Sequence, residues 1–228
     1  MRTRIKICGL TRAADVEAAV AAGVDAIGLV FYQGSPRAVS AAQARSLAKG
    51  LPAWMCLVGL FVNASRDEML RLADQVGLSH LQLHGNETPE DCQGLGRPVI
   101  KALRLPAGPA GLDAPALIKL AQPYADCSAV LLDADSAGYG GSGQAFDWSC
   151  LSGAQSTLGL NWVLSGGLTT ENVKSAVAQF SPPAVDVSSG VEQVVDGVTQ
   201  KGLKDAHRIE AFVKAVRQAD QDKEMSKR

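Results

Sequence analysis

A single (β/α)8 barrel is the fold that this 228-residue sequence predicts, and three observations predict it. Eight short apolar runs recur along the chain, each bounded by turn residues, as buried parallel strands are. Amphipathic, alanine-rich stretches of helical period separate most of them. The repeat is about 28 residues, the size of one strand–helix unit in such a barrel. A doubly wound open sheet is the alternative, but the first strand–helix turn lacks the GxGxxG fingerprint of that fold.

The first strand reads IKIC at 5–8. RAADVEAAVAAG (12–23) follows it, with Ala and Val at helical spacing and a terminal glycine that stops the helix. AIGLV at 26–30 is the second strand, and SAAQARSLAKG (40–50) the helix after it, opened by a serine N-cap. MCLVGLFV (55–62) leads into the helix SRDEMLRLADQVG (65–77). HLQL (80–83) is followed only by TPEDCQ (88–93), long enough for a short helical turn. VIKAL (99–103) leads through the loop PAGPAGLDAP (106–115) to the helix PALIKLAQ (115–122). AVLLD (129–133) is again followed by a short turn, DWSCLS (147–152). WVLSG (162–166) precedes TTENVKSAVAQF (169–180), and AVDVS (184–188) precedes LKDAHRIEAFVKAV (203–216). No Pro/Ser-rich linker divides the chain. Residues 1–219 are therefore expected to form one domain and 220–228 a charged, frayed tail.

Composition narrows the function. With 22 basic and 23 acidic residues the net charge is −1, so no broad basic surface exists for nucleic acid, and any anion must be held locally. Five scattered cysteines, an odd number without a CxxC pair or Cys/His ligand spacing, fit reduced thiols in a cytoplasmic protein without a metal site. The N-terminus MRTRIKICGL has no apolar stretch long enough for a signal peptide or a membrane span.

In a barrel, chemistry sits where strands end and loops begin. Those ends carry Cys8, Gln82, His84, Asp133 and Asp186, with Arg37 in the second loop. Cys8 is either a small packing hydrophobe or a thiol that moves a proton. Asp133 closes a wholly apolar run, where desolvation favours a protonated carboxyl suited to general acid catalysis. Asp135, two residues on, is expected to be exposed. Arg37 can pair with a substrate carboxylate in fork geometry, although most arginines are surface residues. His84 can serve as acid/base group, ligand donor or loop hydrogen-bonder. His80 and His207 read as structural or exposed, and the other four cysteines as packing residues. After strands seven and eight, Ser165-Gly166-Gly167 and Ser188-Ser189-Gly190 supply small residues whose amides can converge on a phosphate. The alternative is that these glycines only serve tight turns. GYGGSG (138–143), between Tyr139 and Phe146 and including Gly141, Ser142 and Gly143, is a candidate lid.

Taken together, KICGLT (6–11), DAIGLVFYQGSPRAVS (25–40), GLFVN (59–63), LQLHGNE (81–87), LLDADSAGYGGSGQAFDW (131–148), VLSGGLTTENV (163–173) and AVDVSSGVE (184–192) resemble the phosphoribosylanthranilate isomerase family of tryptophan biosynthesis. The segments run in order from the first strand to the eighth. The resemblance implies an Amadori rearrangement of N-(5-phosphoribosyl)anthranilate to 1-(2-carboxyphenylamino)-1-deoxyribulose 5-phosphate. It implies Asp133 as the acid that opens the furanose ring and Cys8 as the base that removes the proton on sugar carbon 2. Arg37 would hold the anthranilate carboxylate, and Asp186 a sugar hydroxyl. Gln82, His84, Gly141, Ser142 and Gly143 would touch substrate, and the two Ser/Gly loops the phosphate. No cofactor is implied, and the only partner is a small-molecule substrate, met as a monomer or homodimer. After SSGVE the family has a Pro-Gly-Lys-Lys-Asp-like turn. Here QVVDGVTQKGLKD (193–205) is longer and lacks the proline. Another sugar-phosphate isomerase on the same fold, or a phosphate-sensing domain without chemistry, are the competing readings. Cys8 and Arg37 count against the first, and the joint presence of Cys8 and Asp133 against the second.

Overall fold

The computed structural model describes residues 2–106, 112–134, 145–153 and 161–226. Eight parallel strands close a barrel in chain order: β1 (Arg4–Cys8), β2 (Ala26–Val30), β3 (Cys56–Phe61), β4 (His80–Leu83), β5 (Val99–Leu105), β6 (Ala129–Ala134), β7 (Trp162–Leu164) and β8 (Ala184–Val187). The closing pair is β8 with β1, in a register that sets Lys6 opposite Asp186.

Alternation along the strands makes two cores. Ile5, Ile7, Ile27, Leu29, Phe61, Leu81, Leu83, Leu132 and Val185 point outward and pack with the helices. The inner face holds Ala102, Leu131 and Val163 in one apolar cluster and Cys8, Val30 and Leu60 in another. Buried polar side chains of the same parity, among them Lys6, Gln82 and Asp186, share that inner face.

Helices follow the local signals. In α1 (Ala13–Ala22) the C-cap is Gly23 in the left-handed conformation, and α3 (Arg66–Val76) ends the same way at Gly77. Ser40 and Ser65 accept from the Gln43 and Glu68 amides at the starts of α2 (Ala41–Ala48) and α3. Asp113 caps α4 (Ala114–Ala121) in the same way, on the Ala116 amide. TTENVKSAVAQF turns helical only at Val173, because the Asn172 side chain first accepts from the Thr169 amide; α5 is Val173–Phe180. Asp205 caps α6 (Ala206–Met225) on two amides.

Two expectations are corrected. Residues 88–93 form successive turns rather than a piece of helix: Thr88 bonds to the Asp91 carboxylate, and Cys92 N donates to Pro89 O. Gly94 and Gly96, both at positive φ, end that segment before a helix can propagate. The charged C-terminal segment does not fray at 220, because α6 continues to Met225. Buried Asp220 accepts from the Thr3 amide at 2.9 Å and from the Thr3 hydroxyl at 2.8 Å, tying the last helix to the first strand. The divergent segment 193–205 is built into a hairpin: β9 (Glu192–Val195) and β10 (Val198–Lys204) pair antiparallel. Its turn, Asp196-Gly197, has positive φ at both residues, the geometry of a tight two-residue hairpin.

Candidate active site

The inner ends of the strands open into one cleft, lined by Cys8, Arg37, Gln82, His84, Asp133, Ser165, Gly166, Gly167, Asp186, Ser188 and Ser189. Every described residue assigned to the site from sequence therefore converges there, except Gly190, which follows the lining residue Ser189 and packs on Leu168. Gly141, Ser142, Gly143, Tyr139 and Asp135 lie outside the described residues.

Cys8 is buried at the end of β1, against Val30 and Leu60. Its sulfur needs the glycine opposite it in β2: a Cβ on Gly28 would stand 2.8 Å from Sγ and 3.1 Å from Lys6 Cε. Lys6, two residues back on the same face, reaches Asp186 Oδ1 at 2.9 Å. That contact is an ion pair held off hydrogen-bond alignment. Burial pushes the Cys8 thiol above its ordinary range; Lys6 and Lys204 oppose this and Asp186 adds to it. At neutral pH these surroundings favour the thiol over the thiolate at Cys8. Burial alone would lower Lys6, but Asp186 and Cys8 outweigh it and keep the ammonium charged.

Asp133 stands at the end of β6, its Oδ1 accepting from its neighbour's amide, Ala134 N, at 3.0 Å. His84 Nε2 lies 3.2 Å from Asp133 Oδ2. Gln82 Nε2 and His84 Nδ1 are 3.0 Å apart, so the β4 end supplies a polar pair that supports the carboxyl from the side.

Arg37 is placed in the cleft wall, but its fork is already engaged. Nε reaches Glu192 Oε1 at 2.6 Å and Nη2 reaches Oε2 at 2.8 Å. Glu192 also accepts from Lys204 Nζ at 3.1 Å and from the Gly202 amide at 2.8 Å. Burial would raise the Glu192 carboxyl, yet Arg37 and Lys204 hold it below the ordinary carboxylate range. Lys204 donates further to the Ser188 carbonyl and hydroxyl, and that hydroxyl donates to the Cys8 carbonyl. A charged strut thus runs from the hairpin to the end of β1. Sequence reading missed Lys6, Glu192 and Lys204. For Lys6 the signal was a lysine inside an apolar strand; for the hairpin it was Asp-Gly between Val-Val and Val-Thr.

Arg37→Met is therefore expected to do more than weaken one ligand contact. It leaves buried Glu192 with two partners instead of three and costs about 2–4 kcal/mol, near the usual penalty for breaking a buried pair. Thermal unfolding of the ligand-free protein measures this, and an unchanged midpoint would show that the Arg37–Glu192 pair carries no stability.

The two Ser/Gly loops meet. Gly166 and Gly167 have φ of +75° and +71°, and a Cβ on Gly167 would sit 2.7 Å from the Ala145 amide. Gly190 packs so closely on the loop after β7 that a Cβ would lie 2.0 Å from the Leu168 carbonyl oxygen. These glycines are required by the packing of the backbone itself. Gly190→Ala should lower stability by about 1–3 kcal/mol through overpacking. Chemical denaturation in sulfate-free buffer checks this, and full stability there would leave ligand exclusion as the glycine's sole role. Ser165 N donates to Leu132 O, and the Ser188 side chain is tied as above.

The sequence matches the family described as N-(5'phosphoribosyl)anthranilate (PRA) isomerase over residues 5–215. It is 51% identical over 221 residues to the N-(5'-phosphoribosyl)anthranilate isomerase of Methylibium petroleiphilum, covering 96% of each chain. The fold is similar to that of phosphoribosyl anthranilate isomerase from Thermotoga maritima, with a TM-score of 0.82 and 38% identity, over 95% of this chain and 99% of that one. It is also similar to a phosphoribosyl anthranilate isomerase in complex with reduced 1-(o-carboxyphenylamino)-1-deoxyribulose 5-phosphate, with a TM-score of 0.79 and 36% identity, over the same shares of the two chains.

Proposed function

Since the chain belongs to the N-(5'-phosphoribosyl)anthranilate isomerase family of tryptophan biosynthesis, we propose that Cys8 and Asp133 are the base and the acid of its rearrangement. The observation that carries this assignment is their common cleft, entered from β1 and from β6, with the paired Ser/Gly loops on its rim.

The chemistry needs two proton transfers at adjacent centres. Protonation of the furanose ring oxygen by the Asp133 carboxyl breaks the bond from sugar carbon 1 to that oxygen and leaves an iminium to the anthranilate nitrogen. The Cys8 thiolate then takes the proton from carbon 2, and the electron pair of that C–H bond neutralises the iminium to give an enolamine. Gain of a proton at carbon 1 and loss of one from the carbon 2 hydroxyl complete the ketone, so atoms and charge balance. The carbon 2 proton is acidified by the iminium, which lets a thiolate serve as base.

The remaining assignments follow from position. Arg37, oriented by Glu192, faces the cleft and would receive the anthranilate carboxylate. Asp186 would accept from a sugar hydroxyl, with Gln82 and His84 as further contacts. The amides of Gly166, Gly167, Ser189 and Gly190, with Ser165 and Ser188 beside them, would hold the phosphate. Gly141, Ser142 and Gly143 would add contacts from the sixth loop. The working unit would be a monomer or a homodimer in the cytoplasm. No described helix is long and apolar enough to cross a membrane. Freshly prepared phosphoribosylanthranilate is fluorescent, so its decay with and without the protein tests the reading directly. A decay that the protein does not accelerate would overturn it.

A further inference from the structure

Lys6 is a buried cation that nothing in the reaction just described uses. It lies inside the barrel with Asp186, the two side chains only 7% and 6% exposed. Its ammonium makes no well-aligned hydrogen bond to oxygen among the described residues. An apolar residue would fill this space without the cost of desolvating a charge. Lys6 and Cys8 share the inner face of β1, and both close over Gly28 of β2, where one added carbon would touch Sγ and Cε together. The Lys6 charge favours a thiolate at Cys8, and Cys8 in turn holds the Lys6 ammonium up.

We propose that Lys6 is the positioning residue that turns Cys8 into a base, its ammonium stabilising the thiolate inside the barrel while Asp186 competes for the same charge. Lys6 keeps its own proton throughout. The thiol proton leaves to water as the thiolate forms, and the sulfur later receives the proton of sugar carbon 2. When a substrate hydroxyl donates to Asp186, part of the carboxylate charge is satisfied from the substrate side, and the ammonium is drawn toward sulfur. Substrate binding thereby raises the thiolate fraction of a group that burial otherwise keeps protonated. The other charged group facing Cys8 is Lys204 of β10, which also favours the thiolate; the neighbours from β2 and β3 are Gly28, Val30 and Leu60, which carry no charge. The inference rests on Cys8 being the base, but its test does not.

The test is the rate at which iodoacetamide modifies Cys8 across pH, read by mass spectrometry on the Cys8 peptide of the full chain. Lys6→Met should slow modification at pH 7.5 by about tenfold or more, one unit of thiol titration being tenfold in thiolate. Asp186→Asn should speed it by a similar factor, because the competing carboxylate is gone. Lys6→Arg should restore most of the wild-type profile. A purely structural ion pair would move neither profile, or would move both variants in one direction, and either result overturns the proposal. If Lys6→Met does not fold, the Asp186→Asn and Lys6→Arg profiles decide on the same criteria. Turnover of Cys8→Ser separately tests the premise. Retained activity there would remove Cys8 from the mechanism and leave the alkylation profiles to stand or fall alone.

Discussion

Replacing Cys8 with serine is expected to lower kcat by about 10³–10⁴-fold, the upper range of what a general base contributes. A hydroxyl has nearly the shape of the thiol, but its proton is far too tightly held to leave a usable base near neutral pH. Because the contact to substrate is preserved, KM should change little, and kcat and kcat/KM should fall together. The fold should survive, since Cys8 touches Gly28, Val30 and Leu60 by packing alone. A thermal midpoint within about 4 °C of wild type, equivalent to roughly 1 kcal/mol in a chain of this size, confirms that. Substrate fluorescence decay under saturating conditions supplies the rate. Turnover above a tenth of the wild-type value would assign the base elsewhere.

Asp133→Asn is expected to lose about 10²–10⁴-fold in kcat for a different reason. The amide oxygen can still accept from Ala134 N, and its size matches, so the end of β6 stays where it is. What disappears is a proton that can be given to the ring oxygen. The defect should therefore fall on ring opening and spare the binding of molecules that are already open. Affinity for a reduced, open-chain product analogue should stay within about threefold of wild type, as expected when only a transition-state interaction is removed. Isothermal titration with that analogue checks the binding half. A large loss of affinity alongside the lost rate would make Asp133 a binding group and leave the acid unassigned.

The two effects are separable because the groups are supported differently. Cys8 depends on charge inside the barrel, from Lys6 and Asp186 at the closing seam of β1 and β8. Asp133 depends on the polar pair at the end of β4, where His84 lies 3.2 Å away. Changes at one support should leave the other step intact.

What could be read along the chain was whatever is decided within a few residues. Alternation in KIC and LLD, the serine cap at 40 and the glycine stop at 23 all act over a single turn or strand, and the structure keeps each of them. Cys8 and Asp133 were legible for a related reason: both end apolar runs, and strand ends in a barrel face one shared opening. The hairpin at 192–204 was also locally encoded, in Asp196-Gly197, but the eye for alternating strands and helices passed over it.

The sequence by itself thus determined the barrel, its order of strands, and which strand ends carry the carboxylates, the thiol and the Ser/Gly loops. Only the tertiary structure decided what those groups feel. Arg37 meets Glu192 across 155 residues of chain, and Lys6 meets Asp186 because the last strand closes on the first. No periodicity announces such pairs, since each partner looks like an ordinary charged residue until the backbone brings the two within about 3 Å, where a low-dielectric interior makes their interaction strong. Burial acts the same way. Whether Cys8 rests as a thiol or a thiolate, and whether Arg37 is a free fork or one already filled, depends on desolvation and on charges supplied by distant segments, and those exist only once the barrel has closed.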